Sequence, residues 1–166
     1  MADGVTFELK GVDEAIKALN ELSGDMRRKV VLQALRDAAK PVAQAAKSFA
    51  PVLKAQTTQR VPGTLKRAIG TFKSKRYKAA NGQLGVYVTV RATRAQRRRS
   101  PISGDPFYFR LVEGGHAKRA GKRRASAGMV KPYPFLGPAF KQEGENALRI
   151  FQQAVIERIA KANAAK

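Results

Sequence analysis

The chain has no cysteine, a single histidine, and not one Asp or Glu between Ala38 and Gly104. Each gap excludes something. Without cysteine there is no disulfide framework, no thiol chemistry and no Cys-type zinc site. With His116 as the only imidazole and no cluster of His, Asp and Glu at ligand spacing, no metal centre is expected. No stretch reaches the roughly 20 apolar residues of a membrane-spanning helix. The opening Met-Ala-Asp-Gly-Val-Thr-Phe-Glu lacks both the basic start and the apolar run of a signal peptide, so a soluble, intracellular product is expected. Tryptophan is absent too, and neither long helical segment has the apolar aromatic face opposite dense positive charge that an interfacial helix carries.

What is present is positive charge. Lys and Arg number 33 against 12 Asp and Glu, a formal +21 on 166 residues. That is far more than solubility requires, and it speaks about partners, not fold. In the acid-free stretch the cations run from Lys40 and Lys47 through Lys73, Lys75 and Arg76 to Arg97-Arg98-Arg99. Nucleic acid, an anionic surface or an acidic protein ring supplies the counter-charge such a chain needs against self-repulsion. The 43% hydrophobic content is enough for one real core, so residues 1–166 are expected to form a single domain.

Periodicity organises the rest. Val5, Phe7 and Leu9 alternate with polar residues as a short strand. Asp13 is placed to cap a helix carrying Ile16, Leu19 and Leu22, and Ser23-Gly24 stops it. From Asp25 a longer helix shows one apolar stripe, Val31, Leu35, Ala38, Val42, Ala46 and Phe49, and ends at Ala50-Pro51. Pro41 interrupts the stripe, which predicts a kink near Ala38 or two abutting helices. After an irregular basic stretch, 52–63, a helical turn from Thr64 turns Leu65 and Ile69 inward. Phe72 to Lys78 and Leu84 to Val90 read as hairpin arms around Asn81-Gly82. Basic loops are expected at 92–104 and 115–133, separated by the apolar run Pro106 to Glu113, too short to assign by period. Pro134 opens a long C-terminal helix whose stripe is Leu148, Phe151, Val155 and Ile159, with a frayed tail at 160–166. The fold class is α+β: a small antiparallel sheet of three to four strands packed with two long helices.

Catalytic chemistry finds little to work with. His116 reads as an exposed loop histidine, and Glu113, after an apolar run and before Gly-Gly, as a structural anchor for Arg or for backbone N–H groups. Gly82 and Gly85, or Gly114 and Gly115, are not followed by a helix carrying Lys-Ser/Thr, so no phosphate-binding loop is formed. No recognition helix, zinc finger or RNA-binding aromatic motif occurs, so any nucleic-acid contact is to backbone. The candidate contact residues, for DNA or an acidic partner, are Arg94, Arg97, Arg98, Arg99, Lys118, Arg119, Lys122, Arg123 and Arg124.

Three segments, in order, resemble the HK97 gp10-like family of tailed-phage proteins. Ala38 to Pro51 followed by Gly63-Thr64-Leu65 is similar to its helix, Ala-Pro and Gly-x-Leu pattern. Phe107 to Gly114 resembles its aromatic-Val-Glu-x-Gly element, and Pro134-Phe135-Leu136-Gly137-Pro138-Ala139 its Pro-Phe-Leu-x-Pro-Ala helix start. The basic insert His116 to Lys131 and the long gap from Pro51 to Gly63 depart from the pattern. The resemblance implies a structural tail-completion or neck protein at the head-tail junction, without catalysis or cofactor. It implies a homo-oligomeric ring, assembled in the host cytoplasm, that meets connector and tail-tube proteins, with the DNA passing through the lumen as a further candidate partner. Its motif positions here are Pro51, Gly63, Leu65, Glu113, Gly114, Pro134, Phe135, Leu136 and Pro138, and Phe135, Leu136 and Phe140 are expected as core that seats the last helix. The other reading of the charge is a stand-alone nucleic-acid-binding protein without sequence readout.

Overall fold

The computed structural model describes residues 12–54, 61–74, 84–92, 106–117 and 128–164; the strand expected at Val5 to Leu9 lies outside them. The first helix, α1, spans Val12–Glu21, so Asp13 stands inside its first turn and not before it. Arg27, from the next helix, ties off the end of α1: its Nε donates to Leu19 O at 2.8 Å and its Nη2 to Asn20 O at 2.9 Å. One guanidinium thus satisfies carbonyls that the end of a helix leaves without partners.

Helix α2, Gly24–Phe49, runs unbroken through Pro41, so the sequence's alternative of two abutting helices does not form. Its buried face is Val30, Ala34, Ala38, Val42, Ala43, Ala45 and Ala46. In the first half that face is turned by one residue from the expected stripe, leaving Val31 and Leu35 half-buried.

The facing element is the long C-terminal helix, α5, Leu136–Ala164. Two clusters join the pair. Val30, Ala34 and Leu22 meet Val155 and Ile159 at one end, and Ala45, Ala46 and Ala50 meet Phe135 and Ala139 at the other, so α2 and α5 run antiparallel. Of the expected C-terminal stripe, Val155 and Ile159 are buried in the first cluster, Phe151 packs against it, and Leu148 stands half-buried outside both clusters. Ala162 packs there as well, and the helix is described to Ala164.

A polar brace crosses this pair at the turn before Pro41. Arg158 donates to Asp37 Oδ2 and, at 3.0 Å, to Gln33 Oε1, while Lys40 Nζ donates to Asp37 Oδ1 at 2.7 Å. Proline removes the helix bond that would reach the Asp37 carbonyl, and the brace holds the same turn. The Lys40 hydrogen bond, with Arg158 adding to it against a smaller opposing effect of burial, holds the Asp37 carboxyl below the ordinary aspartate range. A depressed carboxylate stabilises the fold above its unfolded pKa, about 4, and loses that contribution as pH falls through the lower folded value. Asp37→Asn should therefore cost about 1 kcal/mol at pH 7 for so exposed a pair. In urea melts at stepped pH, the gap between variant and parent should hold above about pH 5 and close below about pH 4. A pH-independent gap contradicts this.

Between the long helices the chain makes α3, Thr64–Ala68, and passes directly into β1, Ile69–Lys73. Leu65 and Ile69 both point into the core, 2% and 3% exposed. β1 pairs antiparallel with β2, Val86–Val90, in the register Ile69↔Val90 and Phe72↔Tyr87. The first arm starts three residues earlier than the expected Phe72, because Ile69 leaves α3 already buried beside Val90. Val90 is buried and Tyr87 exposed, as the alternation along this strand requires. A six-residue helix, α4, Phe109–Gly114, then leads to β3, His116–Ala117, which pairs antiparallel with β4, Met129–Val130. The four described strands thus form two small antiparallel sheets beside the helix pair.

Candidate functional site

The densest cluster of the expected motif residues lies where α4 ends and α5 begins. Glu113 sits near the last turn of α4, and its carboxylate accepts from the backbone N–H of Phe135 at 2.9 Å, Leu136 at 3.2 Å and Gly137 at 3.3 Å. Those are N–H groups that the start of α5 leaves without helical partners, at the positive end of its dipole. A charge-assisted cap from 22 residues upstream thereby fixes where the C-terminal helix starts and how it is aimed. Tyr133 N donates to Val112 O at 2.8 Å, so the chain entering α5 is laced to α4 on both sides of this joint.

Gly115 makes the geometry possible. Its φ of 69° is left-handed, and a Cβ there would lie 2.6 Å from Val130 O and 3.0 Å from Pro132 N. The backbone of β4 passes too close for any side chain, so only glycine turns α4 into β3. Within the expected loop 115–133 a strand pair therefore forms at the two ends. His116 accordingly lies on β3, half-buried, with Nδ1 3.4 Å from Leu111 O, and is not the freely exposed loop histidine expected.

The joint borders an apolar cleft of about 280 Å³. Pro51, Val52 and Leu53 line it from the end of α2, Gly63 and Leu65 from α3, Leu111 and Val112 from α4, and Val130, Lys131 and Tyr133 from the β4 side. Three of the motif positions, Pro51, Gly63 and Leu65, are thus brought to one surface with the neighbours of a fourth, Glu113. Val52 and Leu53 open a stretch whose composition reads as a polar loop, and the adjacent apolar pair is the one signal in it that points to this surface. A second groove, about 390 Å³, lies between α2, β2 and α5, with Leu35, Val42, Val88, Leu136 and Phe140 along it.

Phe140 corrects an expectation. It is 67% exposed, while Phe135 and Ala139 are fully buried. Core contact recurs every three to four residues along a helix, so Phe135 and Ala139 share the inward face and Phe140 falls beside it. Leu136 is half-buried, and Pro134 and Pro138 are exposed.

The nine cations Arg94, Arg97, Arg98, Arg99, Lys118, Arg119, Lys122, Arg123 and Arg124 lie outside the described residues. Their roots are described: the first group follows β2, where Arg91 N donates to Ala68 O at 2.9 Å, and the second spans the interval between β3 and β4. Among the described residues no three His, Cys, Asp or Glu side chains gather as a metal site. Nor is any described helix long and apolar enough to cross a membrane. What the described surface offers at this point is a capped helix joint beside the apolar depressions described above.

One family model, described as "Bacteriophage HK97-gp10, putative tail-component", matches residues 13–115. No curated protein and no solved structure matches significantly.

Proposed function

The chain belongs to the HK97 gp10-like family of phage tail components, and from that premise we propose that it is a structural protein of the head-tail junction, acting as a ring of copies that joins the tail to the capsid connector. The observation that carries the reading is the continuous family match from α1 through the Glu113-Gly114 element. The joint in which Glu113 caps α5 supports it, because a completion protein needs a rigid body that presents loops to the rings above and below. In this reading the chain's excess of 21 positive charges is balanced by acidic neighbouring proteins, by DNA in the lumen, or by both. The segments carrying Arg94, Arg97 to Arg99, Lys118, Arg119 and Lys122 to Arg124 make those contacts.

Size exclusion with light scattering on the purified protein, alone and mixed with tail tubes of the parent phage, tests this. The expected result is an oligomer or a stable tube complex. A monomer that ignores tubes but binds duplex DNA, with affinity falling by roughly 0.9 log units per log unit of salt for each neutralised phosphate, would instead establish the stand-alone nucleic-acid-binding protein that the charge also allows.

A further inference from the structure

Among the described residues, two of the apolar depressions share no lining residue. One is concave: the cleft, rimmed by the exposed side chains of Val52, Leu53, Leu111 and Tyr133. The other carries a projecting knob, Phe140, two-thirds exposed on the first turns of α5. Their charges are opposite in sign. The cleft is lined by Lys131 and by no carboxylate. Glu143 stands one helical turn beyond Phe140, about 60° around the axis from it, whereas Lys141 is about 100° away on the other side. The Glu143 carboxylate is held in place by Gln142 Nε2 at 3.1 Å and Asn146 Nδ2 at 2.9 Å, and among the described residues it has no cation partner.

Resting on the ring reading above, we propose that the Phe140 face of one copy docks in the cleft of the next copy, with Glu143 against Lys131. Copies of a chain with a net charge of +21 repel one another, so a stable contact between them must set opposite charges together. Cleft against cleft opposes Lys131 to Lys131, and knob against knob opposes Glu143 to Glu143. Pairing knob with cleft brings unlike charges together while covering both apolar surfaces. The ring reading selects its head-to-tail form over the reciprocal two-fold dimer, which light scattering would show as a dimer and which would overturn the proposal. Each copy then uses both surfaces, so the contact repeats from copy to copy, as a ring requires.

The absence of cysteine makes the test clean. Gly144→Cys, where an added Cβ meets only the Phe140 ring edge at 4.0 Å, marks the knob side, and Lys54→Cys, exposed beside Leu53, marks the cleft side. A short bis-maleimide should link the two variants when mixed and neither alone. Phe140→Ser should keep the parent's circular dichroism, since no core contact is lost, and weaken association by about tenfold or more. Self-linking of Gly144→Cys alone shows a two-fold contact and overturns the proposal. An oligomer by light scattering without the mixed cross-link also overturns it while leaving the ring intact. A monomer under all conditions removes the ring reading, and this pairing with it. If tail tubes alone protect the thiol of Gly144→Cys, and it does not link to the thiol of Lys54→Cys, the knob belongs to another protein and the proposal is equally overturned.

Discussion

Phe135→Ala is expected to lower the unfolding free energy by about 3–5 kcal/mol, the largest effect of a single truncation among the described residues. Phe135 is fully buried, and around it stand Ala46, Ala50, Leu65, Ile69, Val90 and Ala139. Those residues come from α2, α3, both arms of the hairpin and α5, so the phenyl ring is the point at which these elements meet. Its removal leaves a cavity with Ala46, Ala50 and Ala139 on part of its wall, side chains too short to collapse into the space. Phe135→Leu, which keeps most of the volume, should cost less, about 1–1.5 kcal/mol. Urea denaturation with an unchanged dependence on denaturant reads both. A Phe135→Ala cost under about 1 kcal/mol contradicts the packing described.

Glu113→Ala is expected to cost about 2–3 kcal/mol, large for a side chain that is only half-buried. Three N–H groups of the α5 start lose their shared acceptor, and the helix dipole loses its counter-charge. Glu113→Gln should recover little of this, because the amide supplies one acceptor and presents an N–H₂ group to N–H donors. Destabilisation alone does not identify the mechanism, so hydrogen exchange supplies the specific reading. The amides of Phe135, Leu136 and Gly137 should exchange faster in the variant, by more than the global stability change accounts for, while those of the α2 centre follow the global change. Uniform acceleration contradicts a local cap.

Several of these features are legible from residue order. The α2 and α5 helices announce themselves through stripes such as Leu148, Phe151, Val155 and Ile159, long enough to outweigh a proline in α2. The second hairpin arm shows in the alternation Val86, Val88, Val90. Residue order narrows Glu113 to an anchor for Arg or for backbone N–H groups, and the choice between them depends on where the chain returns 22 residues later. That is tertiary information no local pattern contains. α4 is six residues long, less than two turns, and its apolar run from Phe107 fits helix and strand equally. β3 and β4 are two residues each and exist because Gly115 lets the backbone of Val130 and Pro132 come close. Phe140 differs from its expected place because the run Pro134 to Phe140 is dense in apolar residues, and density hides phase. Counting from Phe135 to Ala139 shows that the next position falls beside the buried face. The clefts are hardly legible in the sequence, where only the apolar pair Val52-Leu53 hints at the first, since each gathers side chains from elements far apart in it.

Placement of this chain in the assembled tail, at its junction with the head, is tested most directly by electron cryo-microscopy of the intact virion at side-chain resolution. The predicted image is a closed ring of copies between tail tube and connector, with Glu113 seated on the first N–H groups of α5 in each. A fully resolved junction that contains no copy of this chain contradicts it.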